Sequence, residues 1–362
     1  MTSTNTSQPV VDVARPRVNE SGKLRFRNTA LFLLFSVLVV APESNAQVAT
    51  VPISDLGTLG GGESLAVAVN DDGQVVGYSL IDGDAEQHAF SWTRAGGMID
   101  LGTLGGPYSA AAAVNADGQI AGSSYTAEFL QHAFLWTRGR GMRDLGTLPG
   151  HSQSSASAVN DIGQVVGDSR DSFQSHAFSW TRGGGMIDLG ALAGHTQSFA
   201  RAVNEIGQVV GFSATADFAE RRAFSWTRSG GMIDLGTLPG HGQSLALAVN
   251  DKGQVIGYSS TADFSETRAF SWTPSSGMID LGTLGGPYAA AFTVNARGRV
   301  AGESQTGDGQ YHAFSWTLSN GMIDVGIPGA SNAAVAANDR DQIVGYTSVA
   351  ATGETHASWP SR

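Results

Sequence analysis

The sequence contains no cysteine, and charged residues make up only 15% of its 362 residues. Without cysteine, a disulfide framework and a thiolate metal site are both excluded. The sequence also lacks segments of helical periodicity with recognisable caps, which argues against a helical fold. In their place it has 48 glycines and a hydrophobic content of 41%. These values are typical of a globular, turn-rich chain.

The N-terminal region has the pattern of a secretory signal. The apolar run Ala30–Ala41 has 12 residues, too few to span a bilayer comfortably. Basic residues between positions 23 and 27 precede it, and the small-x-small sequence Ser44-Asn45-Ala46 follows. We therefore predict a signal peptide over residues 1–46, and an extracellular or periplasmic protein without membrane insertion. Because the preceding basic region is unusually long, retention of the segment as an uncleaved anchor is the alternative.

The charge of the remaining chain is acidic. The full sequence has a formal net charge of −11, and removal of residues 1–46 takes away five basic and three acidic side chains, which leaves −13. Lys252 is then the one lysine of the chain. Such a surface repels nucleic acid and anionic lipid, so nucleic-acid binding is not expected.

An internal repeat of about 45 residues fills the chain from residue 47 to residue 362. Each copy carries one asparagine in a turn of the type V-N-x-x-G, at positions 70, 115, 160, 204, 250, 295 and, in a variant form, 338. Each copy also carries one tryptophan, at positions 92, 136, 180, 226, 272, 316 and 359. Seven copies leave no residues for a second domain, so we predict a single repeat domain over residues 47–362.

Each repeat predicts four short strands, which we name a, b, c and d in sequence order. In the first repeat they are residues 64–70, 74–79, 88–93 and 98–104, all rich in β-forming residues and bounded by Gly, Asn and Asp. Four-stranded units of 40–50 residues are what the blades of a β-propeller require.

The phase of the repeat predicts how the ring closes. The domain begins on a d-type sequence, residues 51–59, and ends on a c-type sequence, residues 356–359. We predict an all-β, seven-bladed β-propeller of four-stranded antiparallel blades, whose last blade is completed by the N-terminal strand. The alternative, an open solenoid, would leave both terminal edges unpaired without a capping unit.

The pentapeptide His88-Ala-Phe-Ser-Trp92 recurs in strand c. A period of two places His88, Phe90 and Trp92 on one face, where we expect the aromatic rings to lie over the glycine of strand b and to pack against the next blade. Arginine replaces the histidine at positions 222 and 268, and arginine does not ligate metals. We therefore expect a polar donor to a neighbouring segment at this position, not a metal or catalytic ring.

The turn between strands a and b invites comparison with a calcium loop. Its third residue is Asp72 in the first repeat, but Ile162, Lys252 and Arg297 in others. A set of calcium ligands does not tolerate those replacements. The asparagine and glycine of the turn are therefore expected to serve turn formation.

The stretches HAFSW, GMIDLGTLGG and AVNDDGQVVG resemble the extracellular HAF repeat family of bacterial exported proteins. The resemblance covers essentially all of residues 51–359. It implies export and a repeated structure, and it does not supply an activity or catalytic residues. The last repeat departs most, because it lacks the phenylalanine of the motif and the turn glycine.

The loops between strands d and a and between strands b and c vary among the repeats, and both emerge at the same end of a blade. We name this end the loop face, and predict that it binds a carbohydrate or an extracellular protein. The acidic and aromatic residues of its b–c loops are Glu128-Phe129, Asp171-Phe173, Asp217-Phe218 and Asp263-Phe264. The predicted ligand-binding residues are Tyr108, His151, His195, Arg201, His241 and Tyr288.

The loop face offers two chemical alternatives to simple binding, a metal site and an enzyme. Histidines at positions 151, 195 and 241 occupy equivalent loops, but a spacing of one blade is too large for a shared ion, so we predict no metal. A secreted lyase or hydrolase on a polysaccharide would use a tyrosine as acid, a histidine as base and Arg201 for a substrate carboxylate. We favour the binding scaffold, without catalytic residues or cofactor, and expect a monomer.

Overall fold

The computed structural model divides into two compact units, Met1–Ser36 and Val37–Arg362. The residues that the structure describes are 17–18, 24–25, 55–326, 331–338, 341, 343–349 and 354–358. In the first unit they form a two-residue antiparallel pair, Arg17–Val18 with Leu24–Arg25. The signal-peptide prediction for residues 1–46 lies outside the described residues except for these four. No helix in the described part of the chain is long and apolar enough to cross a membrane.

The second unit is built from repeated antiparallel sheets. The a strands are Gly60–Val69, Gly105–Val114, Gln153–Val159, Gln197–Val203, Gln243–Val249, Gly285–Val294 and Ser331–Ala337. The b strands are Val75–Ile81, Ile120–Thr126, Val165–Arg170, Val209–Ala214, Val255–Ser260, Val300–Thr306 and Ile343–Val349. The c strands are Gln87–Thr93, Gln131–Thr137, Ser175–Thr181, Arg221–Thr227, Thr267–Thr273, Tyr311–Thr317 and Glu354–Ser358. The d strands are Gly97–Asp100, Gly141–Asp144, Gly185–Asp188, Gly231–Asp234, Gly277–Asp280 and Gly321–Asp324.

Each of the first six repeats orders its strands a-b-c-d within one sheet, as in Gln197–Val203 through Gly231–Asp234. The predicted all-β fold of four-stranded antiparallel sheets is thereby confirmed. The d strands are shorter than predicted, since the first ends at Asp100 and not at residue 104. The Asp100 side chain accepts a hydrogen bond from the Gly102 amide at 2.7 Å, and this turn ends the strand.

The predicted closure of the ring is not formed by the described residues. In them the seventh sheet has three strands, and Asp55–Thr58 belong to no strand. The preceding residues 51–54 and the final Trp359 lie outside the described part of the chain. Closure by the N-terminal strand and the count of seven blades therefore stay predictions.

Adjacent sheets pack aromatic face against small-residue face, as the pentapeptide predicts, but the aromatic face of each sheet lies against the preceding sheet and not against the next one. Phe134 and Trp136 of the second sheet pack with Val76 and Ala89 of the first. The phenylalanine of the motif is completely buried in six repeats, at positions 90, 134, 178, 224, 270 and 314. The tryptophan is less uniform: Trp180 is buried, whereas Trp226 is only partly buried. The phenylalanine therefore contributes the innermost apolar surface.

The glycine of strand b has a different neighbour from the one expected. A Cβ at Gly77 would collide with the carbonyl oxygen of Leu65 in strand a, and the same collision with strand a recurs in the other repeats. A side chain of strand c approaches closely at Gly122, where Phe134 lies nearby. The prediction that a neighbouring segment lies close to the strand-b glycine is correct, but the segment is strand a and not strand c. Strand a carries a β-bulge at this level, which turns its backbone toward the glycine.

The pentapeptide histidine binds the aspartate that ends strand d. Nδ1 of His88 lies 2.8 Å from Oδ2 of Asp100, and the pairs 132–144, 176–188 and 312–324 repeat this contact. Where arginine replaces the histidine, Arg268 lies 3.7 Å from Asp280. The prediction of a polar structural partner is therefore confirmed at these positions.

The turn asparagines form a ladder from repeat to repeat. Nδ2 of Asn204 donates to the carbonyl oxygen of Asn250 at 3.0 Å, while its Oδ1 accepts the Gln208 amide at 2.8 Å. The same donation to the next repeat is made by the asparagines at 70, 115, 160, 250 and 295. Each asparagine thus shapes its own turn, as predicted, and also bonds the next sheet.

We expect Asn204→Ala to lower the unfolding free energy by about 1–2 kcal/mol, because it leaves the Gln208 amide without its acceptor and removes one of the two hydrogen bonds to the Asn250 carbonyl. Asn204 is buried, which prevents water from replacing these bonds freely. Thermal denaturation followed by circular dichroism measures the loss. Arg228→Ala, in an exposed turn of the same repeat, is the control and should change little. Equal losses in both variants would contradict a role for the ladder.

Candidate functional site

A row of side chains with non-repeating chemistry crosses the repeats on strand b. It occupies the position after the strand-b glycine, where the repeats carry Tyr78, Ser123, Asp168, Phe212, Tyr258 and Glu303. These residues alternate with the serines that pair with the pentapeptide histidines, so they point to the opposite face of the sheet. We call them the strand-b row. The scaffold is the same in each repeat, whereas the residues of the row differ. The row is therefore the part of the strands that is best suited to a specific function.

Asp168 is the most deeply buried acid of the row, with 9% of its surface exposed. Its Oδ2 lies 3.4 Å from the Ser175 hydroxyl and 3.9 Å from Nη1 of Arg170. Burial raises the pKa of the Asp168 carboxyl, and the positive charges of Arg170 and Arg201 oppose that rise. The acid is therefore accompanied by two cations of the protein itself.

Arg201, which the sequence marks as unusual, occupies the bulge of its a strand between Ala200 and Ala202. A bulge residue is free of ladder pairing, and its side chain can be aimed differently from those of its neighbours. The guanidinium carbon lies 5.3 Å from the centre of the Phe212 ring, a cation–π distance. The charge of Arg201 also acts on Asp168 and on Tyr258. Arg201 therefore connects the row across three consecutive repeats.

Polar contacts extend the row toward the second repeat. Nη2 of Arg170 donates to the side-chain oxygen of Gln131 at 2.7 Å and to that of Gln153 at 3.0 Å. Beyond them, the Tyr108 and Tyr125 rings meet edge-on, with centroids 5.9 Å apart. Predicted residue Tyr108 thus lies at the margin of the same row.

Five buried polar atoms of the described residues have no hydrogen-bond partner. Three lie in strands of the fourth and fifth repeats, namely Nε of Arg221, Oε1 of Gln243 and the Ser260 hydroxyl, and the other two are Nδ1 of His151 and Nδ1 of His195. Gln243 and Ser260 face each other across strands a and b, and the Arg221 guanidinium lies 5.9 Å from the Phe264 ring. Burial raises the pKa of the neighbouring Tyr258, which the charge of Arg221 opposes. Buried donors and acceptors without partners are unusual and point to a ligand-binding role.

Tyr288, Glu303 and Tyr311 line a cavity of about 360 Å³ between the sixth and seventh sheets, together with Ser331 and Asn332. The Tyr288 hydroxyl donates to Oε1 of Glu303 at 3.1 Å. The Tyr288 and Tyr311 rings meet edge-on, with centroids 5.5 Å apart. Burial raises the pKa of the Tyr288 hydroxyl, and the Glu303 charge adds to that rise. Burial likewise raises the pKa of Glu303, against the effect of the Tyr288 hydrogen bond.

The raised pKa of Glu303 predicts a pH-dependent stability. The folded protein holds this proton more readily than the unfolded chain, so the group's contribution is fully present below the ordinary glutamate pKa, and it is lost as the pH rises through the raised value. We expect Glu303→Gln to have a higher Tm than the parent at pH 7, and the difference to vanish below about pH 4. Glu128→Gln, at an exposed loop position, is the control. An advantage of Glu303→Gln that is equal at both pH values would contradict the charge argument.

The three predicted histidines lie on the face of the sheets opposite to the strand-b row. The His151 ring contacts the pentapeptide residue His176, with centroids 5.7 Å apart. Nδ1 of His241 lies 3.1 Å from the Ser259 hydroxyl, whose side chain points away from Tyr258 in the same strand. Nε2 of His195 lies 4.0 Å from Glu220. The predicted binding residues therefore divide into a group on the row, Tyr108, Arg201 and Tyr288, and a separate histidine group.

This division affects the two chemical alternatives. No group of three or more histidine, aspartate or glutamate side chains is placed to hold a metal in the described part of the chain. The acid–base pair of the lyase alternative would need a tyrosine and a histidine in one place. The structure puts Tyr288 on the row and His241 behind the sheet, so it does not assemble that pair from these two residues.

The b–c loops present aromatic rings in an uncommon backbone conformation. Phe129, Phe218 and Phe264 have φ values of 60°, 57° and 57°, in the left-handed region that Gly309 occupies in the sixth repeat. Phe129 and Phe264 are exposed at 67% and 50%. Bulky residues in this region are rare and often mark function. The Phe264 ring borders the Arg221 guanidinium, so an exposed aromatic surface adjoins one of the unpartnered polar groups.

Sequence reasoning missed several residues of this site. The missed residues lie in strands, whose side chains were expected to pack and not to bind. They are Asp168, Arg221, Tyr258 and Glu303. A signal was present, because one position of strand b varies from tyrosine to serine, acid and phenylalanine while its neighbours stay constant. Column-by-column comparison of the repeats would have identified it.

No family model matches the sequence, and no curated protein matches it. Among solved structures, the acylaminoacyl peptidase of Pyrococcus horikoshii is similar with a TM-score of 0.52 and 10% identity, covering 84% of this chain and 52% of that one. A puromycin hydrolase has a TM-score of 0.51 and 14% identity, covering 84% and 55%. The β-propeller domain of the Trilobed protease from Pyrococcus furiosus has a TM-score of 0.49 and 10% identity, covering 83% and 94%.

These likenesses concern the fold. The chain spans about half the length of the peptidase and hydrolase chains that it matches, and identities this low do not transfer an activity. The peptidase and hydrolase likenesses agree with the β-propeller fold of the repeat domain, which is built from repeated four-stranded antiparallel sheets.

Proposed function

We propose that this protein is a secreted binding scaffold of the HAF repeat type, and that its loop face and strand-b row recognise a carbohydrate. The observation that carries the proposal is the set of unpartnered buried polar atoms on Arg221, Gln243 and Ser260, with Arg221 beside the exposed ring of Phe264. Sugars combine hydroxyl groups, which need such donors and acceptors, with apolar ring faces, which stack on aromatic side chains. Export, suggested by the N-terminal sequence, would place the scaffold where extracellular glycans occur.

The site favours a carbohydrate over a protein partner because its polar atoms are recessed between sheets. Gln243 is 3% exposed and Ser260 is fully buried. A broad protein surface reaches side chains at the rim, whereas a narrow chain of sugar rings enters a crevice. An extracellular protein that inserts a loop there is the second outcome of the test.

A glycan array with the full chain tests the proposal. We expect binding to at least one oligosaccharide class, and a loss of at least tenfold in affinity for Arg221→Met and for Gln243→Leu. Arg228→Met makes the same substitution in an exposed turn of the same repeat and should bind like the parent. Absence of glycan binding, or equal losses in Arg221→Met and Arg228→Met, would show that the row is not a carbohydrate site.

The enzyme alternative has a separate readout. Oligosaccharides that bind are incubated with the protein, and products are measured by mass spectrometry. Turnover that His195→Ala abolishes would replace the scaffold proposal by the lyase or hydrolase. Binding without turnover, weakened in Tyr288→Phe, would exclude the enzyme.

A further inference from the structure

The cavity between the sixth and seventh sheets contains an acid without a cation. Glu303 forms no ion pair with any lysine, arginine or histidine of the described residues, and it accepts a hydrogen bond from the Tyr288 hydroxyl. Asp168 occupies the equivalent position three repeats earlier and feels two arginines. Two buried acids on one row therefore have opposite surroundings. A charged carboxylate out of water is costly unless a positive partner accompanies it.

The other walls of the cavity also suit a cation. The rings of Tyr288 and Tyr311 approach edge-on, with centroids 5.5 Å apart, and tyrosine ring faces attract ammonium groups. Ser331 and Asn332 supply oxygen atoms at the seventh sheet. A volume of about 360 Å³ lies at the lower end of the range for small-molecule sites. The net charge of −11 further favours the approach of positive ligands.

The cavity adjoins the proposed carbohydrate-binding residues through Tyr258. Tyr258 lies close enough to Tyr288 for the two hydroxyl groups to affect each other, and it is also within the influence of Arg221. A ligand bound beside Arg221 can therefore extend along the row to Glu303.

We propose that the Tyr288–Glu303–Tyr311 cavity binds a protonated amino group, and that the carbohydrate ligand is consequently an amino sugar with free amines. The identification of the ligand as a sugar rests on the proposed function. The identification of an amine site rests on the cavity alone. Binding places the ammonium beside the Glu303 carboxylate and the tyrosine rings, where the described residues supply no positive charge. The burial that raises the pKa of Glu303 agrees with this arrangement, because an arriving cation would stabilise the ionised carboxylate.

Isothermal titration calorimetry with two matched trimers tests the inference. One is the β-1,4-linked trimer of glucosamine, and the other is its fully N-acetylated counterpart, which has the same rings but no positive charge. The parent is expected to bind the free amine at least tenfold more tightly. Glu303→Gln should bind both trimers equally. Asp72→Asn removes an acid in an exposed turn between strands a and b, away from the strand-b row, and should keep the preference of the parent.

A preference that survives Glu303→Gln, or its absence in the parent, would overturn the inference. Misfolding does not explain a loss in Glu303→Gln, since that variant is expected to be more stable than the parent at pH 7. Methylammonium chloride, titrated against an equal concentration of sodium chloride and followed by NMR, probes the cavity alone. If methylammonium binds the parent but not Glu303→Gln while neither trimer binds, the amine site stands and the carbohydrate proposal fails. If methylammonium does not distinguish the two proteins, the amine site fails whichever trimer binds.

Discussion

Replacing Phe224 by alanine is expected to lower the unfolding free energy by about 3–5 kcal/mol. Phe224 has no exposed surface. It packs with Val166, Ala177 and Leu189 of the preceding sheet. Its removal deletes apolar contacts and leaves a cavity that the rigid strands on either side cannot fill. The loss therefore affects the junction between two sheets and not only one repeat.

Thermal denaturation measures this loss, and a decrease in Tm of about 10 °C is the expected scale for a domain of this size. Phe173→Ala is the matched control, because the same side chain there is 88% exposed and its removal should change the free energy by about 0.5 kcal/mol or less. Trp226→Ala should cost less than Phe224→Ala, since Trp226 is only partly buried. A larger loss for Trp226→Ala would mean that the tryptophan, and not the phenylalanine, holds adjacent sheets together.

The local features of this fold could be predicted from the sequence because local chemistry determines them. Alternation of residues in the pentapeptide defines which side chains share a face, so the packing of Phe134 against the small-residue face of a neighbouring sheet followed directly. Asn70 and Gly73 define a turn within four residues. Seven copies of the pattern made each of these inferences stronger than one copy would have.

Contacts between repeats were harder to foresee. The asparagine ladder joins residues 43 to 46 positions apart, such as Asn204 and Asn250, and nothing in a turn sequence shows that its side chain has a second partner. The same holds for the histidines at 151, 195 and 241, which were assigned to the binding face because their loops belong to it. The loop that carries a histidine determines at which end of the blade its side chain lies. The face of the sheet on which the side chain lies depends on the rotation of that loop. That rotation is not encoded in the repeat pattern.

The candidate site could be predicted only in part for the same reason. Arg201 was found because it departs from the residues at its position in other repeats, and Tyr288 because it lies in a d–a loop, which varies among the repeats. Glu303 was missed, although it departs as clearly, because strand residues were interpreted as packing. Its significance depends on the absence of a cation around it in the described structure, and that contrast with Asp168 becomes visible only when the neighbouring sheets are in place.

Gly167→Ala is expected to cost about 2–3 kcal/mol, the second largest loss that we predict. Gly167 is buried, and a Cβ there would collide with the carbonyl oxygen of Ser155 and approach the Cα of Ala156. Both neighbours belong to the backbone of strand a, so no side-chain rotation relieves the overlap. The two strands must separate, which weakens their hydrogen bonds and displaces the adjoining Asp168. We therefore expect a lower Tm together with weaker binding at the strand-b row.

Gly183→Ala separates this steric effect from the general effect of removing a glycine. Gly183 lies in an exposed turn, has no atom within 4 Å of an added Cβ, and does not have a positive φ. The substitution there should leave the Tm unchanged or raise the stability by up to about 1 kcal/mol, because the unfolded chain loses freedom. If Gly167→Ala behaved like Gly183→Ala, the glycine of strand b would not be required by the bulge of strand a. Its recurrence in every repeat would then need a cause other than close packing of the two backbones.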